Sequence, residues 1–211
     1  MSSLILAAGN QTRWNLGNYP GLPDIKQLLV IDGEVLIRKI QRQFPGSIVV
    51  TKNQAIKKHS LKWFEPENNE VTIATLFSTR DLWEDWTTVL LGDVLYGQDT
   101  IEKINSQKEG LMFYGDKEEI YGFKFNLAMS PGILLAINRI VISPHFEHKF
   151  GKLWNLIRTL NGSDFRIDKV TRYFTTVSDC ADFDTKKGFT KYAKNKRLST
   201  PYSSILQEKH D

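Results

Sequence analysis

The residues of this chain that are suited to chemistry lie where short apolar runs end. Residues 3–8, Ser-Leu-Ile-Leu-Ala-Ala, are typical of a buried strand, which is followed by Gly9 and a polar tract ending at Arg13. Backbone N–H groups in such a loop, with one fixed positive charge, are the ingredients of a phosphate-binding loop. A strand that ends in alanines and glycine also lets a flat ligand lie against peptide groups. Close packing alone is an equally open explanation of these small residues.

Carboxylates follow two later apolar runs. Asp93 ends the run 87–93, and Asp182 and Asp184 lie in the segment Asp-Cys-Ala-Asp-Phe-Asp-Thr. Ligands of parallel sheets bind at the carboxyl ends of the strands, and Asp93 lies at one of these ends. Structural explanations are open too, because Gly92 and Asp93 suit a tight turn and the later aspartates suit the cap of a helix.

The elements that must position these residues alternate between strand and helix in the first half, which predicts a mostly parallel sheet with helices on both faces. Ligands of such sheets bind at the carboxyl ends of the strands. The pattern predicts strands at 3–8, 47–51 and 87–93, a turn at Asp32-Gly33 followed by a helix, and a helix over 75–86 capped by Thr75.

The second half has a different pattern. Two extended segments are predicted to pair, and a helix capped by Ser130 follows them. A long helix is predicted from Ser143 to a C-cap at Gly162, then a strand, then a basic helix after Asp184. The extended segments are GLMFYG and EIYGFKFN, and the later strand is TRYFTTVSD.

Composition limits the possible classes of protein. The chain has 211 residues, 41% hydrophobic and 25% charged, as expected for one globular domain with a substantial core. No apolar run approaches the roughly 20 residues that span a bilayer. Cys180 is the only cysteine, which excludes an internal disulfide and a thiolate metal cluster. The net charge of +4 comes largely from 186–197, which we interpret as a solvated helix face. We expect a cytoplasmic protein with no membrane or nucleic-acid partner.

Four segments carry a more specific signal through their order and spacing. They are LAAGNQTRW, DIKQLLVIDGEVLIRKI, TVLLGDVLY and DCADFDTKKGF. In this order they resemble the nucleotidyltransferase superfamily, which includes the sugar-phosphate nucleotidyltransferases and the molybdopterin-guanylyltransferase-like enzymes. The family signature is close to LAAGxGTR, followed by PKxLL, a helix start, a strand ending in Gly-Asp and a late Asp-x-Asp-Thr segment. The resemblance covers about the first hundred residues and returns near residue 180.

The resemblance implies a fold and an activity. The fold would be a Rossmann-like three-layer α/β/α arrangement with a mostly parallel mixed sheet, the GT-A-like nucleotidyltransferase fold. The activity would be Mg²⁺-dependent transfer of a nucleoside monophosphate from an NTP to a phosphorylated acceptor, a sugar 1-phosphate or phosphocholine-like compound, with release of pyrophosphate. A single domain, 1–211, would contain a nucleotide-binding half at about 1–95, an acceptor lobe at about 96–175 and a late metal segment with a C-terminal helix at 176–211.

The resemblance also implies roles for residues at matching positions. Arg13 and Lys26 match the arginine and lysine that neutralise the triphosphate, and are the expected catalytic residues. Asp93 and Asp184 match the metal ligands for Mg²⁺. The expected nucleotide-binding residues are the first strand end, the loop after it and, by a looser match, a helix start: Leu6, Ala7, Ala8, Gly9, Asn10, Gln11, Thr12, Thr75 and Ser78.

The sequence departs from the family signature at two positions, and two alternative functions remain open. Gln11 replaces the second glycine and Ile25 replaces the proline before Lys26, so an altered loop geometry is expected. One alternative is a non-catalytic nucleotide-binding homologue. Another is a GT-A-type glycosyltransferase using a sugar nucleotide, for which an Asp-x-Asp is expected in place of the single Asp93. The acceptor-binding candidates are Tyr114, Tyr121 and Lys124.

Overall fold

The computed structural model describes residues 1–9, 23–142, 151–163, 172–183 and 192. The strands within them are β1 (Ser2–Leu6), β2 (Val30–Ile31), β3 (Glu34–Val35), β4 (Ile48–Val50), β5 (Trp63–Phe64), β6 (Trp86–Leu91), β7 (Val94–Leu95), β8 (Leu111–Gly115), β9 (Ile120–Asn126), β10 (Phe174–Thr176) and β11 (Ala181–Asp182). Seven of them form one sheet in the order β10-β8-β9-β6-β1-β4-β5. The helices are α1 (Leu36–Gln43), α2 (Gln54–His59), α3 (Thr72–Phe77), α4 (Gln98–Ser106), α5 (Ser130–Val141) and α6 (Leu153–Leu160).

The sheet is mixed and mostly parallel, as predicted. β1 pairs in parallel with both β4 and β6, β4 with β5, and β8 with β10. β9 is antiparallel to β6 and β8 on its two sides. The carboxyl ends of β1, β4, β6 and β8 therefore meet at one edge of the sheet, which we call the carboxyl edge.

Helices cover both faces of the sheet and give the predicted three layers. Successive residues of a strand point to opposite faces, so Ile5 of β1 joins one apolar cluster and Leu4 joins the other. The first cluster contains side chains of α1, α2 and α4, and the second contains those of α3, α5 and α6. Strands buried on both faces need apolar side chains at consecutive positions, which explains the unbroken apolar run of β1.

The predicted turn at Asp32-Gly33 is confirmed. Both residues have positive φ, 52° and 79°, which suits the two-residue loop of the small hairpin β2–β3. Before this hairpin, Lys26–Leu28 form a short 3-10 turn. After it, α1 begins at Leu36, whose N–H donates to the Leu29 carbonyl at 2.7 Å. The hairpin and α1 thus anchor the turn that carries Lys26.

The predicted helix over 75–86 is wrong in its boundaries. α3 begins at Thr72, so Thr75 lies inside the helix, where its hydroxyl donates to the Val71 carbonyl at 3.1 Å and caps nothing. The chain leaves the helix after Phe77, and Trp86 already belongs to β6. Apolar residues at helical spacing were misleading here because they lie in or beside three different elements, which are α3, a 3-10 turn at Arg80–Leu82 and β6.

The second half also departs from the predictions at its helix starts. Ser130 is the first residue of α5 and makes no cap hydrogen bond, because a 3-10 turn at Leu127–Met129 precedes it. α6 begins only at Leu153, after an extended Lys152, and is eight residues long, so the long helix predicted from Ser143 is wrong. Its predicted end is confirmed by Gly162, with φ of 75°. None of the helices in the described ranges is both long and apolar enough to cross a bilayer.

Candidate functional site

The carboxyl edge contains a point where the order in which the chain adds strands to the sheet reverses. After β1 the chain adds β4 and β5 on one side, and then crosses to add β6 on the other side of β1. The crevice outside such a point is where open α/β sheets bind ligands. The ends of β1 and β6, with the residues that follow them, are therefore the place to look for a site.

The ends of β1 and β6 approach each other closely. The Gly92 N–H donates to the Leu6 carbonyl at 2.9 Å. A Cβ atom on Gly92 would lie 2.9 Å from the Ala7 Cβ, closer than real Cβ atoms approach, and 3.1 Å from the Leu6 carbonyl oxygen, which is tighter than most Cβ contacts. The missing side chain of Gly92 thus has a packing cause, which is its contact with Ala7.

Lys26 and Asp93 meet at this crevice. Their ammonium and carboxylate groups form a direct ion pair, and both side chains are largely buried, with 10% and 15% of their surface exposed. Lys26 comes from the 3-10 turn and Asp93 from the turn after β6. Ile25, the residue before Lys26, has φ of −118°, outside the range that proline can adopt, and the family signature has proline at this position. The Ile25 side chain packs against the core.

The late acidic segment joins the same turn. β11 pairs antiparallel with β7, with Asp182 opposite Val94, and the Phe183 N–H donates to the Asp93 carbonyl at 3.0 Å. The carboxylates of Asp93 and Asp182 both contribute to raising the pKa of Tyr96, although burial is the larger cause. Segments distant in sequence are therefore adjacent in space, as the predicted metal site requires.

Tyr96 is buried beneath the Asp93 turn. Its hydroxyl accepts a hydrogen bond from the Leu91 N–H at 2.9 Å and donates to the Tyr121 carbonyl at 2.6 Å. Its ring packs edge-on against Phe44, with 5.4 Å between the ring centroids. The sequence interpretation gave this residue no role, although it lies three positions after Asp93.

Most backbone groups of the first strand end are used within the protein. The Ala7 N–H donates to the Val50 carbonyl at 3.0 Å, and the Ala7 carbonyl accepts from the Thr51 hydroxyl at 3.0 Å. The Ala8 carbonyl accepts from the Asn69 side-chain amide at 3.2 Å. Gly9 is exposed, and a Cβ there would meet nothing within 4 Å. Gly9 is therefore exposed at this edge, whereas Leu6 to Ala8 are enclosed.

The helix-start explanation for Thr75 and Ser78 does not hold. Both side chains are buried. The Ser78 hydroxyl accepts from the Asn68 N–H at 3.1 Å and lies 3.1 Å from the Ala74 carbonyl, which it can donate to. Neither residue lies at the start of α3. Their hydroxyls fix the loop before α3, and this loop carries Asn69 to the first strand end.

The remaining predicted residues lie outside the described part of the chain. Arg13 is among them, as are Asn10, Gln11, Thr12 and Asp184. Within the described ranges, no three His, Cys, Asp or Glu side chains converge on one point. The donor chemistry nevertheless fits Mg²⁺, because Asp93 supplies a hard carboxylate oxygen at a strand end and the segment with Asp182 is bound beside it.

The acceptor-binding candidates are occupied in structural roles. The Lys124 ammonium is buried and donates to the carbonyls of Ile104 and Asn105 at 2.9 and 3.2 Å, which caps the end of α4, and burial lowers its pKa. The Tyr114 hydroxyl faces the Lys103 carbonyl at 3.4 Å, and the Tyr121 hydroxyl donates to Asp116. We therefore no longer assign acceptor binding to these side chains.

Sequence reasoning missed Tyr96, Thr51, Asn69 and Asp179. Asp179 accepts hydrogen bonds from the N–H and hydroxyl of Thr100 and so caps α4 from a distant segment. The cap residue itself is Gly97, on which a Cβ would lie 2.1 Å from the Asp179 carboxylate. A glycine where a capping side chain is usual was the available signal. Nothing in the sequence indicates the contact of Asn69.

Solved structures with this fold are found by comparison of coordinates. A CTP:phosphocholine cytidylyltransferase from Streptococcus pneumoniae has a TM-score of 0.63 at 12% identity, covering 92% of this chain and 98% of that one. A putative glucose-1-phosphate thymidylyltransferase from Bacillus anthracis has 0.57 at 13%, covering 95% and 96%. A protein of Mycobacterium tuberculosis H37Rv has 0.58 at 17%, covering 92% and 98%. No protein-family model and no curated protein matches the sequence. The chain has a sugar-phosphate nucleotidyltransferase-like fold, as the resemblance predicted.

Proposed function

We propose that this protein is a Mg²⁺-dependent nucleotidyltransferase. It transfers a nucleoside monophosphate from an NTP to a small phosphorylated acceptor, a sugar 1-phosphate or a phosphocholine-like compound, and releases pyrophosphate. The nucleotide is bound mainly by residues of about 1–95, and the acceptor by residues of about 96–175. The fold shared with the cytidylyltransferase and the thymidylyltransferase supports the reaction class.

The ion pair of Lys26 and Asp93 is the observation that carries this proposal. It lies at the switch point between β1 and β6, where ligands of open α/β sheets bind. Both charged groups are largely withdrawn from water, which costs free energy that a purely structural turn does not require. A cationic and an anionic group held side by side suit a substrate that carries both phosphate and a divalent cation.

The reaction needs positioning and charge neutralisation more than proton transfer. A phosphate oxygen of the acceptor, already ionised near neutral pH, attacks the α-phosphorus of the NTP. The bond from the α-phosphorus to the oxygen bridging to the β-phosphate breaks, and pyrophosphate leaves with that electron pair. Catalysis then depends on aligning anions and offsetting their charge.

Asp93 and Asp184 would hold Mg²⁺, with Asp182 as a neighbouring carboxylate. The ion, when bound, offsets the negative charge on the phosphate oxygens. The Lys26 ammonium group and a divalent cation would repel each other if both contacted the Asp93 carboxylate. Lys26 therefore exchanges Asp93 for the phosphate oxygens when the triphosphate binds. Arg13, at the end of the first loop, is proposed to bind phosphate with its planar guanidinium group.

A pyrophosphate-release screen tests the proposal. The full chain is incubated with Mg²⁺, each of the four ribonucleoside triphosphates or dTTP, and in turn a set of sugar 1-phosphates and phosphocholine. We expect one pair of substrates to release pyrophosphate, with the nucleotide-diphospho product identified by mass spectrometry and the reaction abolished by EDTA. The Asp93→Asn variant is the matched inactive control.

Two results would contradict the proposal, and each identifies a different alternative. NTP binding in a thermal-shift assay without pyrophosphate release for any acceptor would indicate a nucleotide-binding module without turnover. Transfer of sugar from a sugar nucleotide to an acceptor, without any reaction of NTPs, would indicate a glycosyltransferase.

A further inference from the structure

The hydroxyl of Tyr96 bridges the backbones of β6 and β9 at the carboxyl edge. β6 and β9 pair antiparallel up to Leu90 opposite Gly122. The next opposed pair in that register is Leu91 and Tyr121, and the Tyr96 hydroxyl contacts the backbone of both residues. The Leu91 N–H donates to the Tyr96 hydroxyl at 2.9 Å, and this hydroxyl donates to the Tyr121 carbonyl at 2.6 Å.

This contact ties the end of β6 to a side chain that follows the turn. The Tyr96 hydroxyl lies within hydrogen-bond distance of the Leu91 N–H at 2.9 Å, the Leu91 carbonyl at 3.2 Å and the Tyr121 carbonyl at 2.6 Å. Both backbone groups of Leu91, the last residue of β6, therefore contact that hydroxyl. Gly92 and Asp93 follow immediately, so the course of the turn depends on where that hydroxyl lies.

Tyr96 is itself firmly held. It is 2% exposed, its carbonyl accepts from the Gln43 side-chain amide at 2.7 Å, and its ring packs on Phe44. It also closes a short loop, because its side chain returns to Leu91, five positions earlier. The Asp93 turn is thus enclosed between the Gly92 bond to Leu6 and the Leu91 bond to Tyr96.

We propose that Tyr96 is the positioning residue of the site, whose hydroxyl sets the Asp93 carboxylate in the place from which it contacts Lys26 and binds the divalent cation. This inference rests on the proposed function. Tyr96 touches neither substrate nor metal in this role. It acts through the backbone of Leu91, as partners behind a metal ligand do when they orient that ligand.

The Tyr96→Phe variant tests this role, because it keeps the ring against Phe44 and removes only the hydroxyl. Tyr114→Phe is the matched control, since Tyr114 is equally buried, at 2% exposure, and its hydroxyl faces the Lys103 carbonyl of α4. Three quantities are measured on both variants and on the wild type. They are the Mg²⁺ concentration giving half-maximal turnover, the thermal shift caused by Mg²⁺ with NTP, and the amide hydrogen exchange of residues 91–93.

For Tyr96→Phe we expect the half-maximal Mg²⁺ concentration to rise about tenfold, as when a partner behind a metal ligand is lost. The thermal shift should move to higher Mg²⁺ concentration in parallel, and exchange at 91–93 should be faster. Tyr114→Phe should match the wild type in all three.

Faster exchange or a lower melting temperature in Tyr96→Phe, with an unchanged Mg²⁺ requirement, would overturn the inference and leave a purely structural tyrosine. The thermal shift and the exchange do not need turnover. A wild type that binds Mg²⁺ with NTP but releases no pyrophosphate therefore contradicts the proposed function and still tests Tyr96. Absence of any Mg²⁺ effect on the wild type contradicts both.

Discussion

Lys26 and Asp93 form an ion pair at the point where β1 and β6 diverge, although one belongs to a 3-10 turn and the other follows a strand. The pair brings together two residues that the sequence signature assigned to separate tasks, phosphate binding and metal binding. Under the proposed function their contact couples the two tasks, because whatever binds one side chain changes the surroundings of the other.

Replacing Asp93 by asparagine should abolish Mg²⁺-dependent turnover and leave the fold intact. The amide keeps the shape of the carboxylate but has no charge to hold a divalent cation. Turnover and the Mg²⁺-induced thermal shift are the measurements. Asp81→Asn, at an exposed aspartate ahead of β6, is the control and should behave as the wild type. Undiminished turnover in Asp93→Asn would refute the assigned role.

Replacing Lys26 by methionine should lower kcat about 10²- to 10³-fold, the usual effect of losing one group that stabilises charge in the transition state. Lys26→Arg, which keeps the charge on a different geometry, should retain part of the activity. Lys57→Met removes another buried lysine, which lies in α2 and is paired with Glu65, the residue after β5. This variant should not change kcat. Equal losses in Lys57→Met and Lys26→Met would show a general effect of losing a buried charge.

Replacing Gly92 by alanine should destabilise the protein by about 1–3 kcal/mol, because the added methyl group overlaps Ala7 and the Leu6 carbonyl. Gly132→Ala is the contrasting variant. Gly132 lies in α5 with nothing within 4 Å of the added atom, so this change should stabilise by about 0.5–1 kcal/mol. Urea unfolding measures both. A Gly92→Ala variant as stable as the wild type would contradict the close approach of the two strand ends.

Replacing Asp179 by alanine should cost about 1 kcal/mol at neutral pH, the usual value of a helix cap. Burial raises the pKa of Asp179, but the hydrogen bonds from Thr100 outweigh this and lower it. A carboxyl group with a lowered pKa stabilises the fold above its unfolded-state pKa of about 4, and this contribution is lost as the pH falls through the folded value.

The difference in unfolding free energy between wild type and Asp179→Ala should therefore be present at pH 7 and shrink below about pH 4. Asp99→Ala, an exposed aspartate in the first turn of the same helix, should have a smaller effect of about 0.3–0.5 kcal/mol. A difference that does not change with pH would mean that the charge of Asp179 contributes nothing to the cap.

The sequence predicted the fold best where local conformational preferences and burial in the core favour the same structure. The apolar runs of β1, β4 and β6 predicted buried parallel strands, and Asp32-Gly33 predicted its hairpin turn. Lys26 and Asp93 could be found because the signature gives their identity and order, and their contact follows from the sheet topology.

The parts that could not be predicted depend on contacts between distant segments. Lys124 looks like an ordinary strand residue, and only the tertiary structure brings it to the last carbonyls of α4. The same holds for Asp179 at the start of that helix. The small residues at the end of β1 suggested a ligand, and only the structure shows that Ala7 packs directly against Gly92. Single-sequence patterns carry no information about such neighbours.

The late position of β11 affects how the crevice forms while the chain is being synthesised. Val94 and Tyr96 share one apolar cluster with Val177 and Phe183, which follow β10. A nascent chain that has emerged only as far as β9 can assemble β1, β4 and β6, yet it exposes these apolar side chains and carries an unfinished acidic turn. Premature release or cleavage after β9 would therefore yield an aggregation-prone fragment.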